Sequence, residues 1–277
     1  MTHSLDPTKA VHTWSLFRTM GRYVAPGSAP SGALTENDTT AGSDLLDLLE
    51  LPGQLAAHGF ASAQLCHFYL PRTDPAYLAE LRDAFVGAEV DLECFLIDDG
   101  DVTHPEHGEQ QQRWLSTWIE VAEQLGAPRV RVPAGDQAPT QETIALSARR
   151  LRALAAAHPG IRVLTENWKS LLIDAEVTRD LLERLEGEVG LLIDTGNWDG
   201  ADKYEQISSV AGDAECSQVK VRESSPGVLD TEDFTRSLTV LAEAGYTGRL
   251  SLVHDGTDDD EWGRLEELHR LVRTVTG

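Results

Sequence analysis

The chain alternates short apolar runs with longer segments of helical period, and this pattern recurs along its whole length. The runs have the length of buried strands. The segments between them place apolar residues at i, i+3, i+4 and i+7, the spacing of an amphipathic helix. The predicted strands span residues 10–17, 62–68, 90–97, 129–134, 161–167, 189–195, 217–221 and 249–254. Strands that alternate with helices form parallel sheets joined by right-handed crossovers.

Eight strand–helix units in one chain favour a closed sheet over an open one. A length of 277 residues suits one α/β barrel, and no G-x-G-x-x-G turn follows a predicted strand, which disfavours an open dinucleotide-binding fold. The sequence therefore predicts an α/β fold, a (β/α)8 TIM barrel that forms a single domain over residues 1–277. Residues 21–43, rich in Gly, Pro, Ser and Thr, are predicted as a long loop after the first strand, either a substrate lid or a disordered segment.

Charge and apolar patterning narrow the partners of the chain. The formal net charge of −23 argues against a nucleic-acid partner, because phosphate backbones are bound by clusters of Lys and Arg. No apolar run is long enough to span a membrane, and the N-terminus lacks the pattern of a signal peptide, so we expect a cytoplasmic protein with no membrane partner. Cys66, Cys94 and Cys216 lie far apart in the chain and are predicted to be buried, reduced thiols.

Polar side chains concentrate where the predicted strands end, which is where α/β barrels build their active sites. Glu166 and Asn167 close the fifth strand, and Asp194 and Asn197 follow the sixth. The other polar or aromatic residues at these ends are His12, Trp14, His67, Asp98, Asp99, His104, His107, Asp136, Trp168, Gln218, Lys220, His254 and Asp255. A single buried His or Trp is more often part of a core, but the convergence of this set on one rim predicts a site.

Two of these strands end in a carboxylate. "VLTENW" (163–168) and "LLIDTGNW" (191–198) are apolar runs that close on Glu166 and Asp194, and an isolated charge inside a core is costly. Two neighbouring carboxylates suit Mg²⁺ or Mn²⁺, and an added imidazole widens the choice to Zn²⁺ or Co²⁺. The alternative is that each carboxylate caps the next helix or pairs with Arg131 or Lys220.

At these residues the chain resembles the sugar phosphate isomerase/epimerase superfamily of xylose isomerase-like barrels, which is also related to endonuclease IV. "VLTENW", "LLIDTGNW" and "AGYTGRLSLVHDG" (244–256) resemble the motifs of the fifth, sixth and eighth strands of that family. The similarity runs from the first strand to the final helix. Members of the family hold one divalent cation through Glu, Asp, His and Glu, and move a proton between adjacent carbons of a sugar through a cis-enediolate.

Carried over residue by residue, the resemblance implies that Glu166 binds a metal and shuttles a proton, and that Asp194 binds the same metal. The family's seventh-strand His is replaced by Gln218, which still offers an oxygen donor. Its final Glu is replaced by Val253, and the substrate-binding His that follows the Asp motif is replaced by Asn197.

Asp255 is the candidate replacement for the missing fourth ligand. Alternate side chains of a strand share a face, so Asp255 returns to the inward face two residues after Val253. The predicted cofactor is thus a divalent metal, Mn²⁺, Mg²⁺, Co²⁺ or Zn²⁺, held by Glu166, Asp194, Gln218 and Asp255. A site without tightly bound metal is the alternative.

The pattern and the resemblance together predict an enzyme, an isomerase or epimerase of a sugar or related polyhydroxy carbonyl compound. Glu166 would abstract a proton beside the carbonyl, Lys220 would stabilise the enolate oxygen, and His67 would bind a hydroxyl or protonate a leaving group. The predicted substrate-binding residues are His12, Trp14, His104, Asn167, Trp168 and Asn197. The predicted partner is a small carbohydrate-like molecule, and the family's habit of assembling through barrel helices implies a homo-oligomer.

Three alternatives stay open at this stage. A lyase or dehydratase would begin with the same proton abstraction and differ in its leaving group. A DNA-repair nuclease would need a His-rich multi-metal cluster and a basic face, which the sequence disfavours. A metal-independent, degenerate barrel, acting in a specialised pathway or only binding a ligand, is favoured by the departures at positions 197, 218 and 253.

Overall fold

The computed structural model describes residues 5–21, 45–256 and 259–276 of the chain. Its strands are β1 Asp6–His12, β2 Ser62–Cys66, β3 Asp91–Leu96, β4 Arg129–Arg131, β5 Arg162–Glu166, β6 Gly190–Asp194, β7 Ala214–Val221, β8 Glu223–Ser225, β9 Val228–Leu229 and β10 Arg249–His254. Parallel strands close into a barrel in the order β1-β10-β7-β6-β5-β4-β3-β2. The predicted (β/α)8 barrel is confirmed. The pair β8 and β9 forms a small antiparallel hairpin outside the barrel, which the sequence pattern did not indicate.

Helices cover the outside of the barrel and separate its strands along the chain. They are α1 Phe17–Met20, α2 Leu51–Ala57, α3 Pro75–Gly87, α4 Gly108–Leu125, α5 Gln141–Ala157, α6 Ala175–Leu185, α7 Lys203–Ala211, α8 Thr231–Glu243 and α9 Glu261–Thr276. Asp74, Thr140, Asp174 and Asp230 each cap a helix by accepting a hydrogen bond from a backbone N–H in its first turn. These caps determine where the loops at the carboxyl ends of the strands give way to helix.

The first predicted strand is displaced relative to the observed one. The sequence predicted a strand over 10–17, but β1 ends at His12 and Thr13–Leu16 form a turn of 3-10 helix. The cause is the His12 side chain, whose Nδ1 accepts a hydrogen bond from the Trp14 amide at 3.0 Å and so caps the turn. The other barrel strands lie within a few residues of their predicted bounds.

Hydrogen bonds join the loops after β3, β4 and β5 at the carboxyl end of the barrel. Asp101 accepts from the Asp136 amide at 2.9 Å and from Gln137 Nε2 at 2.7 Å. Asp136 in turn accepts from the amide and the hydroxyl of Ser170, at 3.2 and 2.7 Å. Because each loop is bonded to the next, this side of the rim is a connected wall rather than three separate segments.

Three further sequence predictions concern the cysteines, the loop at 21–43 and membrane-spanning helices. The three cysteines are free and buried, as predicted. The predicted loop at 21–43 lies, except for Gly21, outside the described residues. Across 5–21, 45–256 and 259–276, no helix combines the length and apolar content needed to cross a bilayer.

A buried carboxyl group lies inside the barrel, on β3. Glu93 is 6% exposed, and its Oε2 accepts hydrogen bonds from Gln64 Nε2 at 3.1 Å and from Ser251 Oγ at 3.0 Å. Burial raises the pKa of Glu93 above its ordinary value, and these hydrogen bonds offset the rise only in part. A carboxyl group whose pKa is raised in the folded state favours folding most when it is protonated, so this stability is lost as the pH rises.

We therefore expect Glu93→Gln to be more stable than the wild type at about pH 8, because the neutral amide can still accept both hydrogen bonds without holding a proton or a charge. The difference should shrink towards the ordinary Glu pKa of 4.5. Thermal denaturation of both proteins across this range measures it. A variant that is less stable than the wild type throughout would contradict the role given to the buried acid.

Candidate functional site

The carboxylates of Glu166 and Asp194 close neighbouring barrel strands at the carboxyl rim. Glu166 is the last residue of β5 and Asp194 the last of β6, and β5 and β6 pair directly in the barrel. Both side chains are buried, at 4% and 3% exposure. Two acidic groups that lie this deep require partners of opposite charge or strong hydrogen bonds.

Each carboxylate has a cation beside it. Arg131 Nε lies 2.8 Å from Glu166 Oε2, and Lys220 Nζ lies 3.2 Å from Asp194 Oδ2. Arg131 comes from the end of β4, and Lys220 comes from β7. This is the ion pairing that the sequence left open as an alternative to metal binding.

Arg131 is held on every side, at 2% exposure. In addition to its ion pair with Glu166, it donates from Nη1 to the carbonyl of Ile97 at 2.8 Å and from Nη2 to Asp98 Oδ1 at 2.5 Å. The ring of Trp168 lies 5.2 Å from its Cζ. The sequence offered Arg131 only as one ion-pair partner. The sequence did contain a sign of this role. Arg129 and Arg131 alternate with valines in "RVRVPA" and so share one face of the strand, and a charged side chain on the inner face of a barrel strand needs a buried partner.

Asn197 links the two ion pairs. Its Nδ2 donates to Glu166 Oε1 at 2.7 Å, and its Oδ1 accepts from Lys220 Nζ at 3.4 Å. Gly196 lets this contact form, because a Cβ at that position would meet Lys220 Cδ at 2.5 Å. The Glu166 carboxylate is therefore positioned from both sides, by Arg131 on one oxygen and by Asn197 on the other.

Asn167 points at the backbone of the next strand. Its Oδ1 accepts from the Asp194 amide at 2.7 Å, and its Nδ2 donates to the Asp194 carbonyl at 3.0 Å. Asp194 Oδ1 also accepts from the Gly196 amide at 2.6 Å. In this arrangement both polar groups of Asn167 serve the turn after β6, and its side chain is fully buried.

Gln218 and Asp255, the remaining predicted metal ligands, lie in different surroundings. Gln218 is buried and donates from Nε2 to Gln64 Oε1 at 3.0 Å, towards the barrel interior. The Asp255 side chain is 39% exposed, and its Oδ2 lies 3.8 Å from Lys220 Nζ. Lys220, Asp255 and their neighbours line an open cleft of about 360 Å³.

Burial controls the charge of the predicted histidines His12 and His67. It lowers the pKa of His12 to about 3, and it also lowers the pKa of His67, so both imidazoles are neutral. His67 Nδ1 accepts from the Asp98 amide at 3.3 Å, and its Nε2 lies 3.8 Å from Asp99 Oδ2. Asp98 therefore links His67 to Arg131, because its backbone amide contacts His67 and its side chain contacts Arg131.

Two predicted substrate-binding residues, His104 and Trp14, make contacts with their own neighbours. His104 accepts from the amides of Glu106 and His107, within its own loop. Trp14 packs against Phe17 and Phe68, with ring centroids 5.8 and 5.9 Å apart. In the described part of the chain no hydrogen bond joins His104 to the Glu166 carboxylate.

The charged groups shift one another's protonation. Burial raises the pKa of Glu166 to about 7, with a further rise from Asp194 and a reduction from Arg131 and Lys220. Burial also acts to raise the pKa of Asp98, but Arg131 and the other groups around this carboxylate together outweigh burial and hold that pKa below its ordinary value. The pKa of Lys220 is raised, because nearby carboxylates outweigh its burial. Glu166 is thus poised to titrate near neutral pH, beside Asp98 and Lys220, whose charges are stable there.

The four residues predicted to hold a divalent cation do not form a ligand set as they lie. Glu166 and Asp194 each contact a cation, and Gln218 donates to Gln64. Among the residues that the structure describes, no group of three or more His, Cys, Asp and Glu side chains could hold a metal ion.

Comparisons with other proteins agree with the barrel. The family described as xylose isomerase-like TIM barrel matches residues 52–274. Comparison with curated proteins finds no match. A xylose isomerase-like protein of Mycobacterium smegmatis in complex with magnesium is 14% identical, with a TM-score of 0.66 over 93% of this chain and 98% of the other.

Two solved enzymes are similar to the same extent. D-psicose 3-epimerase of Clostridium cellulolyticum H10, with D-tagatose, is 13% identical, with a TM-score of 0.67 over 96% of this chain and 98% of its own. The probable 3-DHS dehydratase AsbF of Bacillus anthracis is 13% identical, with a TM-score of 0.66 over 98% and 99%. At these identities the likeness shows the fold alone.

Asn167 and Asn197 allow a matched test of whether a side chain bonded to the backbone contributes more to stability than one bonded to other side chains. We expect Asn167→Ala to lower the free energy of unfolding by about 2–4 kcal/mol, because it leaves the buried amide and carbonyl of Asp194 without partners. Asn197→Ala removes contacts to side chains only and should destabilise the protein less. Urea denaturation of both variants measures the difference, and equal losses would contradict this division of roles.

Proposed function

The chain belongs to the family of xylose isomerase-like TIM barrels, and from this we propose that it is an enzyme that moves a proton beside the carbonyl group of a sugar or related polyhydroxy carbonyl compound. The observation that carries the proposal is the placement of Glu166. Its carboxylate is buried at the rim, bonded to Asn197 and paired with Arg131, with Lys220 on the same asparagine. This arrangement suits a base and an electrophile that act on one substrate.

Glu166 is the base in this proposal. In the first step the proton on the carbon beside the carbonyl passes to a Glu166 oxygen. The electron pair of the broken C–H bond forms a C=C bond, and the π pair of the carbonyl moves to its oxygen to give the enolate. A base is most effective when its pKa lies near the working pH, and burial raises the pKa of Glu166 to about 7. The contacts from Arg131 and Asn197 keep the carboxylate in place for the transfer.

Lys220 is the group that stabilises the resulting enolate oxygen. Its ammonium group lies 3.4 Å from Asn197 Oδ1, so it belongs to the same network as the base. It also lines the cleft of about 360 Å³, which opens beside it. A fixed positive charge next to the developing oxyanion lowers the energy of the transition state.

The residues favour isomerisation on one face of the substrate. Epimerisation by two bases needs an acid–base group on each face, and the position of the family's second carboxylate is Val253, a buried apolar residue. With Glu166 as the base, the proton returns to the neighbouring carbon from the side on which it left. The substrate-binding roles of His12, Trp14, His104 and Trp168, a cytoplasmic location and a homo-oligomeric state stay predictions.

Glu166→Gln tests the proposal directly. We expect it to lower turnover about 10²- to 10⁴-fold, the usual contribution of a general base, while the fold is kept. Exchange of solvent deuterium into a panel of free and phosphorylated aldoses and ketoses, followed by NMR, detects isomerisation. Loss of a hydroxyl from the product would instead identify the lyase alternative.

Glu215→Gln is the matched control, because that carboxylate pairs with Arg162 at 2.6 Å at the opposite end of the barrel. It should exchange deuterium at the wild-type rate. If Glu166→Gln also kept that rate with a substrate that the wild type turns over, Glu166 would not be the base.

The pH profile gives an independent test. The base must be ionised to accept a proton, so kcat/KM should rise by about tenfold per pH unit below the Glu166 pKa and level off above it. Since that pKa is raised to about 7, the turning point should lie near neutrality. A profile that is flat from acid to neutral pH would contradict the assignment.

A further inference from the structure

The cations of the rim contact the two carboxylates that were predicted to bind a divalent metal. Arg131 Nε lies 2.8 Å from Glu166 Oε2, and Lys220 Nζ lies 3.2 Å from Asp194 Oδ2. The exposed fractions of the Arg131, Glu166 and Asp194 side chains are 2%, 4% and 3%. Oppositely charged groups at these distances and this depth already neutralise each other.

Arg131 cannot easily leave Glu166 to make room for a metal. Its guanidinium group is always charged, and Asp98 and the Ile97 carbonyl bind its two other nitrogens. A metal on Glu166 would leave the buried charge of Arg131 with one carboxylate fewer. Breaking a buried ion pair in this way is strongly unfavourable.

The surroundings of Asp194, like those of Glu166, disfavour a bound metal. Val253, where a further carboxylate ligand would be needed, pairs in register with Lys220 across β10 and β7. Gln218 is bonded to Gln64 in the barrel interior. A divalent cation at Asp194 would therefore have few ligands and a neighbouring ammonium group that repels it.

We propose that Lys220 and Arg131 supply at this rim the positive charge that a divalent cation would supply, so that the chain acts without a bound divalent metal. The role of Lys220 towards an enolate rests on the proposed function. The statement that the rim binds no divalent metal does not rest on the proposed function, because metal binding can be measured without a substrate.

Binding of Mn²⁺, followed by the electron paramagnetic resonance signal of the free ion, tests the proposal. The wild type and Asp194→Asn should bind Mn²⁺ alike, because the acidic surface of the chain is the same in both apart from one buried carboxylate. One Mn²⁺ per wild-type chain that is lost in Asp194→Asn would overturn the proposal.

A pair of double variants tests whether Lys220 is what excludes the metal. Lys220→Met with Val253→Glu removes the ammonium group and restores a carboxylate beside it, so Mn²⁺ affinity should rise at least roughly tenfold. Lys169→Met with Val253→Glu changes the net charge equally but leaves Lys220 in place, and should show no gain. Lys169 is a suitable control because, among the described residues, its ammonium group forms no ion pair with Glu166 or Asp194.

Thermal denaturation with and without Mn²⁺ gives a second readout, since a ligand that binds the folded state raises its melting temperature. The increase should be confined to the variant that lacks Lys220. If this variant gains no affinity, Lys220 does not stand in for a metal, and the proposal fails. If no sugar exchanges deuterium with the wild type, the proposed function fails, and the Mn²⁺ measurements still decide the present question.

Discussion

The buried charge of Arg131 is the constraint on which the rim depends. A guanidinium group at 2% exposure is stable only if strong partners surround it, and here they come from the chain around the end of β3 and from β5. Asp98 and the Ile97 carbonyl hold one side of the group, and Glu166 holds the other. The pairing that compensates the charge therefore also sets the distance between the ends of β3, β4 and β5, and it orients the carboxylate proposed as the base.

The second half of the rim repeats this logic with a more accessible cation. Lys220 lies between Asp194 and Asp255, with 19% of its side chain exposed. Asn197 connects it to Glu166, so the charges form one network across the ends of β4, β5, β6 and β7. The buried cation, Arg131, orients the Glu166 carboxylate, and the more accessible cation, Lys220, borders the open cleft. That division matches the needs of a reaction in which the base must be fixed while a substrate oxygen approaches the opposite charge.

The sequence was informative wherever a local pattern determined the structure. The alternation of apolar runs and helical segments predicted the barrel, and the position of Glu166 and Asp194 at the ends of their runs placed them at its carboxyl rim. The sequence could not choose between metal binding and ion pairing, because the choice depends on which side chains of β4 and β7 reach them. For a similar reason the sequence could not predict that the polar groups of Asn167 face the Asp194 backbone. The early end of β1 followed from one side-chain hydrogen bond, which periodicity does not register.

The bonded loops after β3, β4 and β5 have a consequence for how such a barrel can diversify. Asp101 and Asp136 link each of these loops to its neighbour. A graft that replaced one of them with a loop from another protein would remove acceptors on which the next one relies. New substrate preferences on this side would have to arrive as a co-inherited block of all three loops.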